Sequence, residues 1–299
     1  MLVAMTDLAF IPVSVADPLE RARRHIDAKL FEPLSLAQLA EAAGLSAYHF
    51  TRQFGARFGQ SPMAYVRARR LTAAADRLCG PASPSLIDLA FDCGFDSQEG
   101  FTRAFKRVFG IPPGLYRRAS ARTCPSEIFV MSDSPESRIQ LSQAPQPVRK
   151  GRLRIAGFAA AFNETDKAGI PKLWDRLVER MPFEGGLGET FGVCSAASPG
   201  SEPGSMRYMA GVHLAADAPA PAGLEIVDLP PQTYLIFRQV MDGGPLQPQM
   251  LAAAREIWGE RVPKSGHRLA QAPDLEFYPA DSTPDQAGAW VEWWVPVED

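Results

Sequence analysis

Two arginines carry the sharpest chemical signal in this chain. Arg52 and Arg103 stand fifty-one residues apart inside the same local frame. Ser46, Phe50, Thr51, Arg52, Phe54, Phe58, Gly59, Pro62 and Tyr65 return as Ser97, Phe101, Thr102, Arg103, Phe105, Phe109, Gly110, Pro113 and Tyr116. Just upstream, Leu36, Leu39, Ala40 and Gly44 return as Leu86, Leu89, Ala90 and Gly94. A guanidinium carried on a helix can donate two hydrogen bonds to guanine O6 and N7, and a glutamine amide can do the same for adenine. A second candidate lies near the C-terminus, where Glu276 and Tyr278 share a short apolar stretch. A carboxylate among aromatic rings favours a cationic guest, to which the rings add about 0.5–2 kcal/mol of cation–π attraction.

The elements that must position the arginines are short helices. Ser35 can cap a helix whose apolar residues Leu36, Leu39, Ala40 and Ala43 recur at helical spacing. Gly44 can end that helix at positive φ, and Ser46 can open the next. Phe50, Phe54 and Phe58 then share one face, as do Phe101, Phe105 and Phe109 in the second copy. Burying these rows turns Tyr48, Thr51, Arg52 and Gly55 outward in the first copy, and Gln98, Glu99, Thr102, Arg103 and Lys106 in the second. Two helices crossing at a glycine turn form a helix-turn-helix, whose second helix can enter the DNA major groove. Each such face taken alone is equally an ordinary solvated helix surface; the duplication, with arginine at the equivalent place, favours DNA.

The stretches "SLAQLAEAAGLSAYHFTRQFGARFGQSPMAYVRARRL" and "LIDLAFDCGFDSQEGFTRAFKRVFGIPPGLYRR" give residues 21–118 a resemblance to the DNA-binding domain of the AraC/XylS family of bacterial transcription regulators. The resemblance implies an all-α domain of seven helices with two helix-turn-helix units, joined by a long helix that Met63 to Leu78 fits. Gly100 departs from the pattern, offering no side chain where related proteins often carry a polar one.

Charge divides in the same place. Residues 21–118 hold fifteen Lys/Arg against eight Asp/Glu, whereas residues 123–299 hold fifteen against twenty-three, so only the first part is suited to phosphate. Arg67, Arg69 and Arg70 on the joining helix, with Lys106, Arg107, Arg117 and Arg118, are candidates for backbone contact. The four cysteines, Cys79, Cys93, Cys124 and Cys194, are widely spaced and form no ligand cluster, so neither a metal nor a cofactor is expected. Free thiols, no apolar run of about 18 residues and no basic start to residues 1–17 point to a cytoplasmic protein without a membrane span.

The expected organisation is an N-terminal arm over 1–20, the DNA-binding domain over 21–122, a proline-rich linker over 123–150 and a second domain over 151–299. Within the linker, Ile128 to Met131 could form a short strand. The second domain reads as strand-helix-strand-strand twice over. Arg152 to Phe162, helix Ile170 to Met181, Phe191 to Ala196 and Tyr208 to Leu214 make the first set. Thr233 to Val240, helix Leu246 to Trp258, Leu275 to Tyr278 and Trp290 to Val295 make the second. This is an α+β domain, an antiparallel sheet with helices on one face. A cleft is expected on the opposite face. Strand alternation would put Glu276 and Tyr278 in it if Leu275 and Phe277 cover the helices. Trp174, Phe191, Tyr208, Trp258, Trp293 and Trp294 are the rings available to line it, of which Trp174, Phe191, Tyr208 and Trp294 are taken as ligand contacts.

The stretches "GIPKLW", "YMAGVHL", "GLEIVDLPPQTYLIF", "IWGERVPKSGHRLAQAPDLEFYP" and "WVEWWVPV" give residues 152–299 a resemblance to GyrI-like effector-binding domains. It implies a pocket for small, often cationic and hydrophobic, molecules, with Glu276 matching the acidic residue of a Glu-x-Tyr pattern. The two domains in this order resemble the Rob type of regulator. Together they imply double-stranded DNA, a small-molecule effector and RNA polymerase as partners, activation more often than repression, and a monomer or dimer. Two other readings stay open here: a GyrI-like hydrolase using Glu276 and Tyr278 as an acid/base pair, and a constitutive DNA-binding module whose cleft is filled by its own side chains.

Overall fold

The computed structural model describes residues 17–80, 84–120, 140–141, 145–163, 167–198, 200–201 and 204–299. Among the described residues, seven helices make the first domain: α1 (Pro18–Ala28), α2 (Leu36–Ala43), α3 (Ala47–Phe58), α4 (Pro62–Cys79), α5 (Leu86–Asp92), α6 (Gln98–Phe109) and α7 (Pro113–Ser120). Serine punctuates them. The side chains of Ser35, Ser46, Ser61, Ser85 and Ser97 each accept a hydrogen bond from the amide three residues on, satisfying a donor that the helix start leaves free. Gly44 and Gly94 take φ of 70° and 76° at the two turns, a conformation that a side chain disfavours.

The duplication holds down to ring geometry. Phe54 and Phe58 lie 4.4 Å apart, and Phe54 meets Tyr65 edge-on at 5.3 Å; Phe105 and Phe109 lie 4.4 Å apart, and Phe105 meets Tyr116 edge-on at 5.3 Å. α4 serves both cores. Its first turns give Tyr65 and Val66 to the core of the first unit, and its later turns give Leu71, Ala74, Ala75 and Leu78 to that of the second. Between them, Arg70 donates from Nε to the carbonyl of Leu30 at 2.6 Å and from Nη2 to that of Glu32 at 2.7 Å. That arginine ties the units together and is not free for phosphate. Arg69 pairs with Asp27, and Arg117 donates to the Pro84 carbonyl, so both of these backbone candidates are also engaged. Arg67, Lys106, Arg107 and Arg118 are exposed.

Among the described residues the second domain is one antiparallel sheet with its two longer helices packed on it. Its elements are β1 (Gln140–Leu141), β2 (Pro147–Lys150), β3 (Leu153–Phe162), α8 (Ile170–Val178), β4 (Gly186–Ala196), β5 (Met206–Leu214), β6 (Glu225–Leu229), β7 (Gln232–Val240), α9 (Leu246–Glu256), β8 (Asp274–Tyr278) and β9 (Trp290–Val297). The strand order is β1-β7-β9-β8-β4-β5-β3-β6, with β2 also on β7. The two sets, β3-α8-β4-β5 and β7-α9-β8-β9, meet where β4 pairs with β8.

Three expectations need correction. α1 starts at Pro18, capped by Asp17 and anchored by the fully buried Leu19, so the last residues of the expected arm are helical. The end of the expected linker is part of the sheet: Pro147 to Lys150 run antiparallel to Gln232 to Leu235. β6 was not anticipated, because its acidic and partly exposed residues pair only with β3. The suggested strand Ile128 to Met131 lies outside the described residues.

Because Phe105 is fully buried among Phe101, Phe109 and Tyr116, Phe105→Ala is expected to cost the helical domain about 3–5 kcal/mol. Urea unfolding followed at helical wavelengths measures it, and a loss below about 1 kcal/mol would mean that this core repacks freely.

Candidate functional site

Side-chain alternation along β8 sets the site. Leu275 lies with Phe191, Val193, Tyr234 and Trp294 in a cluster fed by seven strands. Phe277 packs against it, stacked on Trp294 at 5.4 Å, and the Lys150 ammonium sits 4.2 Å above that indole. Asp274, Glu276 and Tyr278 point the other way, toward α8 and α9. On that face Leu173 and Leu177 of α8 pack with Cys194 and Tyr208. Ala253 of α9 packs with Trp293, Ile257 and Trp258. Glu276 and Tyr278 therefore lie on the helix-bearing face, between α8 and α9, and not on the opposite face where the cleft was expected, and the space between the two helices, called the cleft below, is filled by side chains of α3. Apolar Leu275 and Phe277 do not cover the helices, because the sheet has a second core of its own on the other face. Phe191 and Trp294 belong to that second core and do not line the cleft. Trp174, Tyr208 and Tyr278 do.

The floor of the cleft is a hydrogen-bonded chain. Trp174 Nε1 donates to the Tyr208 hydroxyl at 3.0 Å, Tyr208 donates to Glu276 Oε2 at 2.7 Å, and Tyr278 donates to the same oxygen at 3.2 Å. Burial pushes the Glu276 carboxyl above its ordinary range, and the two tyrosine donors with the nearby Arg52 charge pull it back part of the way. Burial likewise lifts the Tyr208 and Tyr278 hydroxyls well above their ordinary value, so both remain protonated donors. Gly192 sits directly opposite Glu276 on β4, and the reason is spatial. A Cβ there would stand 2.3 Å from the Tyr208 hydroxyl and 2.6 Å from Glu276 Oε2.

Into this cleft the first domain inserts α3. The Tyr48 hydroxyl donates to Asp274 Oδ1 at 2.6 Å, and Arg52 Nη2 meets Asp274 Oδ2 at 2.8 Å. The Arg52 guanidinium also lies 4.6 Å from the centre of the Trp258 ring, and the His49 ring is nearly parallel to that indole at 6.3 Å. Burial lowers the His49 pKa, which keeps the ring neutral against the indole. Asp274 is 2% exposed, so its charge is answered by α3 rather than by water. One turn on, α9 passes into a π-helical turn, Ile257–Arg261, where a Cβ on Gly259 would lie 3.1 Å from the Arg57 backbone nitrogen. Arg57 donates to the Gly259 carbonyl and pairs with Glu260 at 2.9 Å and with Asp17 at 3.0 Å.

The sequence-predicted residues are thus divided. Gln98, Glu99, Arg103 and Lys106 on α6 are exposed and Thr102 half-buried on the same surface, while Arg67 is exposed on α4. Tyr48, Thr51 and Arg52 were expected to face outward into solvent, and none of them is exposed. Thr51 is 8% exposed, and Tyr48 and Arg52 are held by Asp274. The helix presents these residues away from its own core, as the Phe row requires, but the second domain covers them. Asp274 was missed, although the same alternation that carries Glu276 and Tyr278 extends back to it. The seat for Arg52 on Trp258 had no local signal, because it joins residues more than two hundred positions apart.

Residues 39–119 match the helix-turn-helix domain family, and residues 149–297 match the family of integron-associated effector binding proteins. The multiple antibiotic resistance protein MarA of Salmonella typhimurium (strain LT2) is 40% identical over 92 residues, 31% of this chain and 72% of that protein. This chain belongs to the AraC family of transcription regulators. The transcriptional regulator Rob of the same strain is 45% identical over 95 residues, 32% of each chain, so the likeness spans about a third of that relative's length. Among solved structures, an integron cassette protein from the mobile metagenome of Vibrio cholerae is 15% identical, covering 54% of this chain and 100% of that one at a TM-score of 0.39. In the described part of this AraC-family chain no helix is long and apolar enough to cross a membrane, and no group of three or more His, Cys, Asp or Glu is placed to hold a metal ion.

Gly192→Ala is expected to break the Tyr208–Glu276 hydrogen bond and destabilise the sheet domain by about 1–3 kcal/mol, the usual cost of overpacking. Thermal unfolding of the two chains side by side decides it, and equal midpoints would show that the tyrosine moves aside freely.

Proposed function

We propose that the protein is an effector-responsive regulator of transcription that binds DNA through α6 and α3 and takes a small organic cation between α8 and α9. The observation that carries the second half is the guanidinium already seated there. Asp274, Glu276 and Trp258 surround Arg52 with two carboxylates and an aromatic face, the chemistry that selects a positive charge on an apolar body. The first half rests on Arg103, which is 78% exposed in side chain and followed on the same face by Lys106. With both recognition helices engaged, one chain reads two successive major grooves about 34 Å apart, and its site is asymmetric. The family resemblance supports activation through RNA polymerase as the output.

Arg103→Ala is expected to cost roughly 1–3 kcal/mol on the specific site and to relax base preference there. Arg67→Ala should instead weaken all sequences alike and lower the salt slope by about 0.9, the share of a single phosphate. Anisotropy titrations on specific and scrambled duplexes at several salt concentrations separate the two. If Arg103→Ala weakens both duplexes equally, Arg103 contacts only the backbone.

For the cleft, the probe is an aryl quaternary ammonium ion with its uncharged carbon isostere. Glu276→Gln keeps the shape and removes the charge, so calorimetry should show the cation bound about 30-fold or more weakly, a loss of about 2 kcal/mol, with the isostere unaffected. The pH dependence has a fixed sign. The raised Glu276 pKa means that acidification neutralises the site sooner than it would an exposed glutamate, so cation affinity falls as pH drops through a value above the ordinary range. Equal affinity of the wild type and Glu276→Gln for the cation would remove Glu276 from the site. Cleavage of an ester-bearing analogue of the cation by the wild type but not by Glu276→Gln would favour a hydrolase.

A further inference from the structure

The contacts of α3 point beyond a cleft and a reader standing side by side. Comparing the two recognition helices position by position shows how they have diverged. Fifty-one residues apart, Tyr48 corresponds to Glu99, Thr51 to Thr102, Arg52 to Arg103, Gly55 to Lys106 and Ala56 to Arg107. The outward face of α6 is charged and open. The matching face of α3 keeps its arginine but replaces the flanking charges by an aromatic ring and two small residues. Those changes fit the second domain. Tyr48 reaches Asp274, and Ala56 packs against the α9 cluster where an arginine could not. Gly259 lets the α9 backbone come within contact of the α3 backbone, and Arg57 latches that approach through Glu260.

The seat is nevertheless incomplete. His49 Nε2, Thr51 Oγ1 and Arg52 Nε, on the side of α3 that meets the second domain, are buried with no hydrogen-bond partner among the described residues. Unpartnered buried polar atoms oppose docking, and their cost is recovered when the helix leaves for water or for a nucleic acid groove. α3 is thus held by a few strong contacts and not by a fully satisfied interface, which is what a reversible contact requires.

We infer that Arg52 is an internal occupant of the effector cleft, so that α3 can sit either in the cleft or on DNA, and an organic cation that takes the Asp274–Trp258 seat releases the first recognition helix. This rests on the reading of the cleft as a cation site, but the docking itself can be tested without any ligand. The cation and DNA both bind the undocked state, so each strengthens the other, and the coupling is equal in both directions. In the docked state α6 remains exposed, so the chain keeps a one-helix mode of DNA binding.

The experiment uses the full chain and a latch variant whose change lies outside the cleft floor and outside the first domain. Glu260→Lys sets a like charge against Arg57. Thr51→Cys, added to both the wild type and the latch variant, reports exposure of α3 by thiol labelling resolved to its own peptide, so the native cysteines do not interfere. Without ligand, Glu260→Lys should speed labelling at position 51 and tighten specific DNA binding by a factor within the ordinary coupling range of about 5–150. The aryl quaternary ammonium ion should do both in the chain that keeps Glu260 and add little to the latch variant, whose own affinity for the cation should be higher. Unchanged labelling and unchanged DNA affinity in Glu260→Lys would overturn the inference. If the latch variant behaves as expected but neither chain binds the cation, the docking stands and the cation reading of the cleft fails on its own.

Discussion

One buried carboxylate governs how the two halves of this molecule meet. Asp274 lies at the start of the strand that joins the duplicated halves of the sheet, and its two oxygens are answered by Tyr48 and Arg52 of the other domain. A buried charge deprived of its partner typically costs about 3–5 kcal/mol, and a well-made pair does little more than cancel its own desolvation. Asp274 therefore contributes selectivity rather than strength. On the proposed reading, an occupant that displaces Arg52 has to answer that carboxylate in its place, which favours a positive charge over a body with no donor to offer. Glu276, two residues along and already donated to by two tyrosines, extends the requirement from a point to a surface.

Two duplications meet at this place, and each has lost its symmetry there. The helix-turn-helix units keep closely similar ring geometry inside, where Phe54 and Phe105 do the same packing, and differ outside, where one face is charged and the other is covered. The strand-helix-strand-strand sets keep their topology, yet only α9 opens into a π-helical turn at a glycine, giving the approaching helix a flat backbone to rest on. Keeping the cores while letting the surfaces diverge is what packing physics permits: interior volume is constrained on all sides, exterior chemistry on one.

Most of the fold was legible in the chain because it depends on local rules. Serine caps and glycine turns marked the helices, and period-two stretches marked the longer strands, leaving β1, β2 and β6 at the margins of the sheet unread. Even so, the face of β8 was assigned the wrong way round. Alternation separates Leu275 and Phe277 from Glu276 and Tyr278 but does not say which pair meets the helices; that choice depends on a second core built from seven strands. Arg52 shows a different limit. Its outward direction followed correctly from the phenylalanine row, but outward is not the same as solvated, and the cover comes from residues that only the tertiary fold brings near. Phe191 and Trp294 were misplaced for the reason that misled the strand, since their aromatic character suits a core as well as a pocket.

The exposed position of α6 carries a consequence for how such a protein finds its place on a genome. Electrostatic, sequence-independent contacts govern sliding and hopping along DNA, while base contacts govern where a protein stops. On the docking proposed above, a chain whose Arg103, Lys106 and Arg107 stay in solvent whether or not α3 is engaged would be able to search at all times. What the cleft would then govern is dwell time: the same encounters with DNA, most of them brief while one reading helix is kept at home, and long ones when both are free.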